Sequence, residues 1–296
     1  MDKILQTLLE KVADLHGVPE GAYNIRANGQ MAGRNTTANI DIVTREDGKG
    51  IDVHIKPGTK KESVHIPVIL SQTGLNETVC NDFFVGDDAD VTIIAGCGIH
   101  NGIHRFFVGK NAKLKYVEKH YGDGDGKGER VMNPRTEITM DEGSYMEMES
   151  VQIKGVDSTK RDTVAHLAAG AKLVVQERLM THGRQDAESR FDVCLDGENS
   201  SANIISRSVA RDQSHQAFYS NLQGNSLCAG HTECDAIIMD EAKISSLPEI
   251  TANHPDAALI HEAAIGKIAG DQIIKLMTLG LTEEEAEAQI VNGFLK

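Results

Sequence analysis

The 296-residue sequence has no tryptophan, and its Tyr and Phe together reach only 4%. Sugars are usually gripped by stacking on such rings, so a carbohydrate-active enzyme is disfavoured. No apolar run approaches the roughly 20 residues that span a bilayer. The opening "MDKILQTLLEKVADLHG" carries acids where a signal peptide would have none. A soluble, cytoplasmic chain with no membrane contact is expected. The net charge is -14, with no Lys/Arg cluster large enough to attract a phosphate backbone, so no nucleic-acid partner is expected.

Five cysteines, Cys80, Cys97, Cys194, Cys228 and Cys234, form no C-x-x-C spacing. An odd count without that spacing argues against a disulfide framework and a zinc ribbon. Several enzymatic signatures are also missing. "GKG", "GKN" and "GKI" all lack the hydroxyl of a phosphate-binding G-x-x-x-x-G-K-[ST] loop, so this chain has no ATP site of its own. There is no G-x-S-x-G elbow and no H-E-x-x-H. "YGDGDGKGER" fails as a calcium loop at Lys127 and Pro134, and as a dinucleotide fingerprint at Lys127 and Glu129. Its composition assigns it to a loop.

What the sequence does contain is a repeated phrase. "VGDDADVTIIAG" (85–96) is echoed by "VGKNAKLKYVE" (108–118) and, in looser form, by segments reaching Ser144, Ala171, Ser200 and Ala242. Counted from Ala89, the intervals between the small residues are 23, 32, 27, 29 and 42. Gly, Asp or Asn suits a tight turn, a small residue fits the corner, and the next apolar side chain points inward. Period-2 runs such as "IDVHIK", "YMEMES" and "RFDVCL" fill the stretch from about Asn35 to Ile250. Stacked β units with variable loops satisfy this grammar, as a solenoid or as a sandwich.

Helical periodicity marks the two ends. Ile4, Leu5, Leu8, Val12 and Leu15 predict an amphipathic helix over residues 2–15. Ala263 to Leu279 carries an apolar pattern that stops at Gly280. Thr282 followed by Glu285 then reads as a capping box opening a second short helix.

The richest set of metal-capable groups is Cys228, His231, Cys234, His261 and Glu262, in "NSLCAGHTECDAI" and "ALIHEAAIGKI". Thiolates, imidazoles and a carboxylate suit iron or zinc. The same residues also fit a buried strand cysteine with surface histidines, and spacing leaves both open. A second group, Cys97, His100 and His104 in "GCGIHNGIHRF", need not share a face on a strand.

Three strings carry a resemblance: "GENSSANIISRSVARDQSHQAFYSNL", "HTECDAIIMDEAKISSLPEI" and the long "HEA…GKI…DQ…L…GL…EEA…IVNGF". With weaker similarity from about residue 60, they resemble the SufB/SufD family, SufB more than SufD. That resemblance implies a mainly β fold: a right-handed parallel β-helix over 35–257, an N-terminal helical segment over 1–34 and a C-terminal one over 258–296. It also implies a non-enzymatic scaffold that builds a transient iron–sulfur cluster with a sulfur donor. The partners would be a SufC-type ABC ATPase, docked on Leu259 to Phe294, and a second subunit, as a homodimer or a SufB–SufD-like heterodimer. The dimer seam would lie near Asp235 to Ile250.

By the same resemblance His261 and Glu262 match the family's His-Glu pair, Cys234 the Cys of its "QCD" string and Cys97 the Cys of "EGC". The candidate cluster ligands are His261, Glu262 and Cys234, with Cys228 and His231 as further metal candidates. The sequence departs from SufB in having no cysteine in "DEAKISSLPEI" and none around "ITMDEGSYM". Both absences count against SufB-like sulfur transfer, and the missing seam cysteine favours an alternative, a structural adaptor for the ATPase with no metal site. A β-helix carbohydrate lyase or hydrolase is a third, less favoured reading.

Overall fold

The computed structural model describes residues 19–69, 77–97, 100–121 and 129–296. The helix expected at 2–15, most of the glycine-rich stretch and the side chains of Cys97 and His100 lie outside the described residues.

The described chain opens with β1 (Ala22–Ala27), β2 (Gln30–Asn35), β3 (Ile40–Thr44), β4 (Gly50–Ile55), β5 (Lys60–His65) and β6 (Val68–Ile69). It continues with β7 (Glu77–Val85), β8 (Asp90–Cys97), β9 (His100–Val108), β10 (Lys113–Tyr121), β11 (Val131–Met132), β12 (Pro134–Met140) and β13 (Tyr145–Lys154). The last eight strands are β14 (Ser158–Leu167), β15 (Lys172–Thr181), β16 (Asp186–Leu195), β17 (Ser201–Ala210), β18 (His215–Gly224), β19 (Cys228–Ile238), β20 (Lys243–Ala252) and β21 (Ala257–Gly266). Two helices follow, α1 (Gly270–Thr278) and α2 (Glu283–Phe294).

From β7 onward the strands alternate between two sheets, except that the short β11, paired with β14, lies in the same sheet as β12. One sheet runs β8-β10-β13-β15-β17-β19-β21 and the other β7-β9-β12-β14-β16-β18-β20, with every neighbour parallel. Tyr145, Lys172, Ser201 and Ala229 stand side by side across four strands, so one coil takes about 28 residues. The fold is a parallel β-solenoid of about seven turns. Alternate side chains point between the sheets, giving one continuous core from Ala22 and Ile40 to Cys228 and Cys234.

The repeated phrase is a corner of this solenoid. Ala89, Ala112, Ser144, Ala171 and Ser200 are all buried there, and each N–H donates to the carbonyl three residues before it. The residue ahead of each one, Asp88, Asn111, Gly143, Gly170 and Asn199, has positive φ, which is why Gly, Asn and Asp recur. That conformation turns its N–H toward the next coil, where Lys110, Glu142, Ala169, Glu198 and Leu227 respectively accept.

The last of the expected corners is displaced. Ser200 is followed along the stack by Cys228 and then Ala257, because β17 pairs β19 and β19 pairs β21 in register. Ala242 sits on the opposite corner, beside Ser214, between β19 and β20. The Cys228 turn has Leu227 as its third residue and no positive φ, so it lacks the phrase that marks the others.

Strand structure extends from Ala22 to Gly266. Ala263 to Gly266, which shares the helical pattern of 263–279, belongs to β21, because pairing with β19 satisfies its backbone. The helices beyond it are as expected: α1 ends at Gly280, φ +97°, and Thr282 and Glu285 form the capping box of α2. Val291 and Leu295 of the α2 region pack on Val209 and Met239 of the solenoid. Among the described residues no helix is long and apolar enough to cross a membrane.

Candidate functional site at the last coils

Two neighbouring strands, β19 and β21, carry all five metal candidates. Their parallel register sets Thr232 beside His261, Glu233 beside Glu262 and Cys234 beside Ala263. Because successive residues of a strand face opposite ways, His261 and Glu262 point to opposite faces of the sheet. The family-like pair is thus one half of each of two sites.

The inner face holds Cys228, Thr232, Cys234 and His261. Cys234 is buried at 1% exposure, and burial pushes its thiol up to about 11. Burial also raises the Cys228 thiol. Neither is a thiolate at neutral pH in this environment, so both pack as small apolar groups until the surroundings change. His261 is bound through Nδ1 to the Thr232 hydroxyl at 2.7 Å. Burial and the nearby His231 hold it below the usual imidazole range, in its neutral, metal-competent form. A Cβ added to Gly230 would stand 2.8 Å from a Leu259 methyl and 2.9 Å from a Leu222 methyl, so a larger residue there would make those leucines shift.

The outer face holds His231, Glu233, Asp235 and Glu262. His231 Nδ1 meets Asn203 Oδ1 at 2.9 Å, and its Nε2 lies 3.9 Å from Glu262 Oε2. A hydrogen bond with Asp235 raises the Glu233 carboxyl, helped by burial. Among the described residues no group of three or more His, Cys, Asp or Glu side chains is placed to hold a metal ion. Cys80, Cys194, Cys228 and Cys234 are free cysteines. His104 of the second sequence group is buried in the solenoid interior, with Nδ1 3.2 Å from the Tyr116 hydroxyl.

Both strands of the last coil are uncovered. Leu222 of β18 is 1% exposed, whereas Ile250, beside it on β20, is 43% exposed. Ala236 is 4% exposed and its β21 neighbour Ile265 is 37% exposed. β20 and β21 end their sheets, each presenting one unpaired backbone edge. Pro248 is tolerated in β20 because that strand is an edge.

Sequence reasoning missed a further polar cluster. Inside the solenoid Arg161 pairs with Glu177 at 3.3 Å, and Ser189 and Ser206 donate to the same carboxylate at 2.6 and 2.7 Å. Arg161 is also bound to Ser150 and Gln152. Nearby, buried Glu118 lies 3.1 Å from His120 Nε2. Burial disfavours its charge, but His120, His104 and Arg161 outweigh that and hold the carboxyl well below its ordinary range. A signal existed in the sequence: "YVEKHY" and "KRDT" put charged or titratable residues at consecutive positions of strong strands, so some had to face inward.

A family profile described as "SUF system FeS cluster assembly, SufBD core domain" matches residues 78–294. An iron-sulfur cluster assembly SufBD family protein of Archaeoglobus fulgidus is 31% identical over 262 residues, 85% of this chain and 69% of that protein. One from Methanocaldococcus jannaschii is 28% identical, covering 84% of this chain and 82% of its own. A third, from Pyrococcus horikoshii, is 25% identical over 92% and 86%. These matches show that the chain belongs to the SufBD family of iron–sulfur cluster assembly proteins.

Proposed function

We propose that this chain is a non-enzymatic scaffold on which an iron–sulfur cluster is built where the open ends of two solenoids meet. The observation that carries this reading is the uncovered last coil, which repeats the inner coils' apolar pattern and presents His261, with Cys234 buried in the strand beside it. A second subunit, another copy or a paralogue, would continue the sheets across β20 and β21. β21 is the better edge for cross-chain pairing, since it carries no proline. The Asp235 to Ile250 stretch lies in this seam.

One protomer does not hold a cluster alone. Cluster irons take four ligands, mostly thiolates, with histidine substituting at some sites. Here one protomer offers His261 and a Cys234 whose thiol becomes a ligand only when its buried surroundings open. Glu262 and His231, on the outer face, join only if the edge of β21 turns. Two protomers would double the donor set, and a ligand set poor in thiolates suits a cluster that is cargo to be handed on. The C-terminal helices fit the ATPase partner: α1 has no buried residue and exposes Ile274 and Met277, with Leu279 beyond its end. A SufC-type ABC ATPase docked there would supply the ATP chemistry this chain lacks, and its motion would reshape the seam.

The test is anaerobic reconstitution with iron and sulfide, with and without the ATPase, on the parent and on His261→Ala/Glu262→Ala. The expected result is bound iron and charge-transfer colour at the level of the dimer, lost in the variant. Full cluster content in the variant overturns the ligand assignment. A chain that binds the ATPase and never takes up iron is instead an adaptor, the reading supported by the lack of a cysteine in "DEAKISSLPEI".

A further inference from the structure

A small cationic cavity lies where the C-terminus of α2 meets the outer face of the β15–β17 sheet. It has a volume of about 120 Å³ and is lined by Gln176, Glu177, Arg178, Ile205, Arg207 and Lys296. Three cations converge there on a surface whose net charge is -14. The parallel register sets Arg178 beside Arg207, two like charges on adjacent strands that would normally destabilise the pair.

Acids stand near both without a short contact: Glu149 near Arg178, and Asp235 beside Arg207 on β19, where Arg207 also acts on Glu233. Arg178 Nη1 stands 4.0 Å from Glu149, and its Nη2 makes a long 3.4 Å contact with Gln176 Oε1. Arg207 is exposed and makes no hydrogen bond or ion pair with any described residue. The one carboxylate in the lining, Glu177, is turned into the solenoid, where Arg161, Ser189 and Ser206 bind both its oxygens. Arg178, Arg207, Lys296 and Gln176, all residues with donor groups, thus line the cavity. A guanidinium fork matches an oxyanion's paired oxygens, and two forks on one side favour a tetrahedral anion over a halide.

We propose that this cavity binds a small tetrahedral oxyanion of the inorganic phosphate class, and that the bound anion clamps α2 to the solenoid. The clamp follows from where the cations sit. Arg178 and Arg207 belong to the solenoid, whereas Lys296 follows Leu295, which packs on Val209 and Met239 beside α2's Val291. An anion held by all three ties the end of the helical segment to the sheet. The volume has room for such an anion and a few waters, not for a nucleotide.

The test uses the full chain with inorganic phosphate at millimolar concentration, ionic strength matched with sodium chloride, and parallel arms in sulfate and acetate. Calorimetry should give one site per chain. Amide exchange over residues 283–294 should slow about threefold, and the melting temperature should rise by about 2 °C, as expected when a ligand binds only the folded state. Sulfate should act like phosphate, and acetate more weakly. Arg178→Gln/Arg207→Gln should abolish these effects while melting like the anion-free parent. Should the double variant fold poorly, Arg207→Gln at its exposed position carries the test. Binding that survives substitution, exchange in α2 that ignores phosphate, or acetate as effective as phosphate overturns the proposal.

Discussion

The two ends of the solenoid's strand stack are finished differently. At the N-terminal end the sheets close with antiparallel pairs, β1 with β2 and β3 with β4. Reversing direction breaks the coil-on-coil repeat, so a further parallel coil has no template there. At the C-terminal end β20 and β21 remain parallel and in register, and keep the inner coils' alternation. The difference teaches that the exposed Ile250 and Ile265 are an interior without its next layer rather than a surface. Stacking energy is nearest-neighbour in such folds, so a missing layer weakens only the coil beside it.

That comparison can be broken most forcefully in the middle, where both neighbours are present. Glu177→Ala leaves Arg161 charged, buried and without its carboxylate, and should cost about 3–5 kcal/mol, read as a lower denaturant midpoint. Next, Leu222→Ala should cost about 2–5 kcal/mol, while Ile250→Ala beside it changes the isolated subunit by less than about 1 kcal/mol. Sedimentation of the Ile250 variant should instead show weakened self-association. Equal losses at the two positions would mean that the last coil is already covered, and would sink the idea of an open end.

Acid offers a sharper probe of the closed interior. The Glu118 carboxyl is held below its ordinary value of 4.5, so its contribution is complete above that value and erodes as pH falls below it. Glu118→Gln should therefore lower the melting temperature at pH 7 and flatten the loss below about pH 4.5. An unchanged acid limb would contradict the buried Glu118–His120 pairing. The smallest effect belongs to the appended segment. Thr282→Ala removes the capping box and should loosen α2 by about 1 kcal/mol, seen as faster amide exchange there with no change in the solenoid.

Local chemistry made much of this legible. A turn that needs positive φ shows itself as Gly, Asn or Asp, which is why the corners at Ala89, Ala112, Ser144, Ala171 and Ser200 could be read directly. The turn at Cys228 has no such residue and was overlooked, and Ala242 shares the phrase while lying on the other corner. Both corners call for Gly, Asn or Asp, but the positive φ falls one residue earlier on the second, at Asp212 and Asp240, a difference that residue type alone does not reveal. The candidate site was legible as residue types only. His261-Glu262 reads as a unit along the chain, yet a strand's two-residue period separates the pair. The interior ion pair of Arg161 and Glu177 escaped because charge at an alternating position ordinarily marks the solvent side.

By itself the sequence determined the coil unit, the helix caps at Gly280 and Thr282, and membership of the family, since each rests on contacts within a few residues or on long matched strings. Only the tertiary structure decided the face each side chain took, the meetings of Thr232 with His261 and His231 with Glu262, the cations gathered beside α2, and the uncovered last coil. Those depend on register between strands about 28 residues apart, which stacking fixes and no local rule encodes.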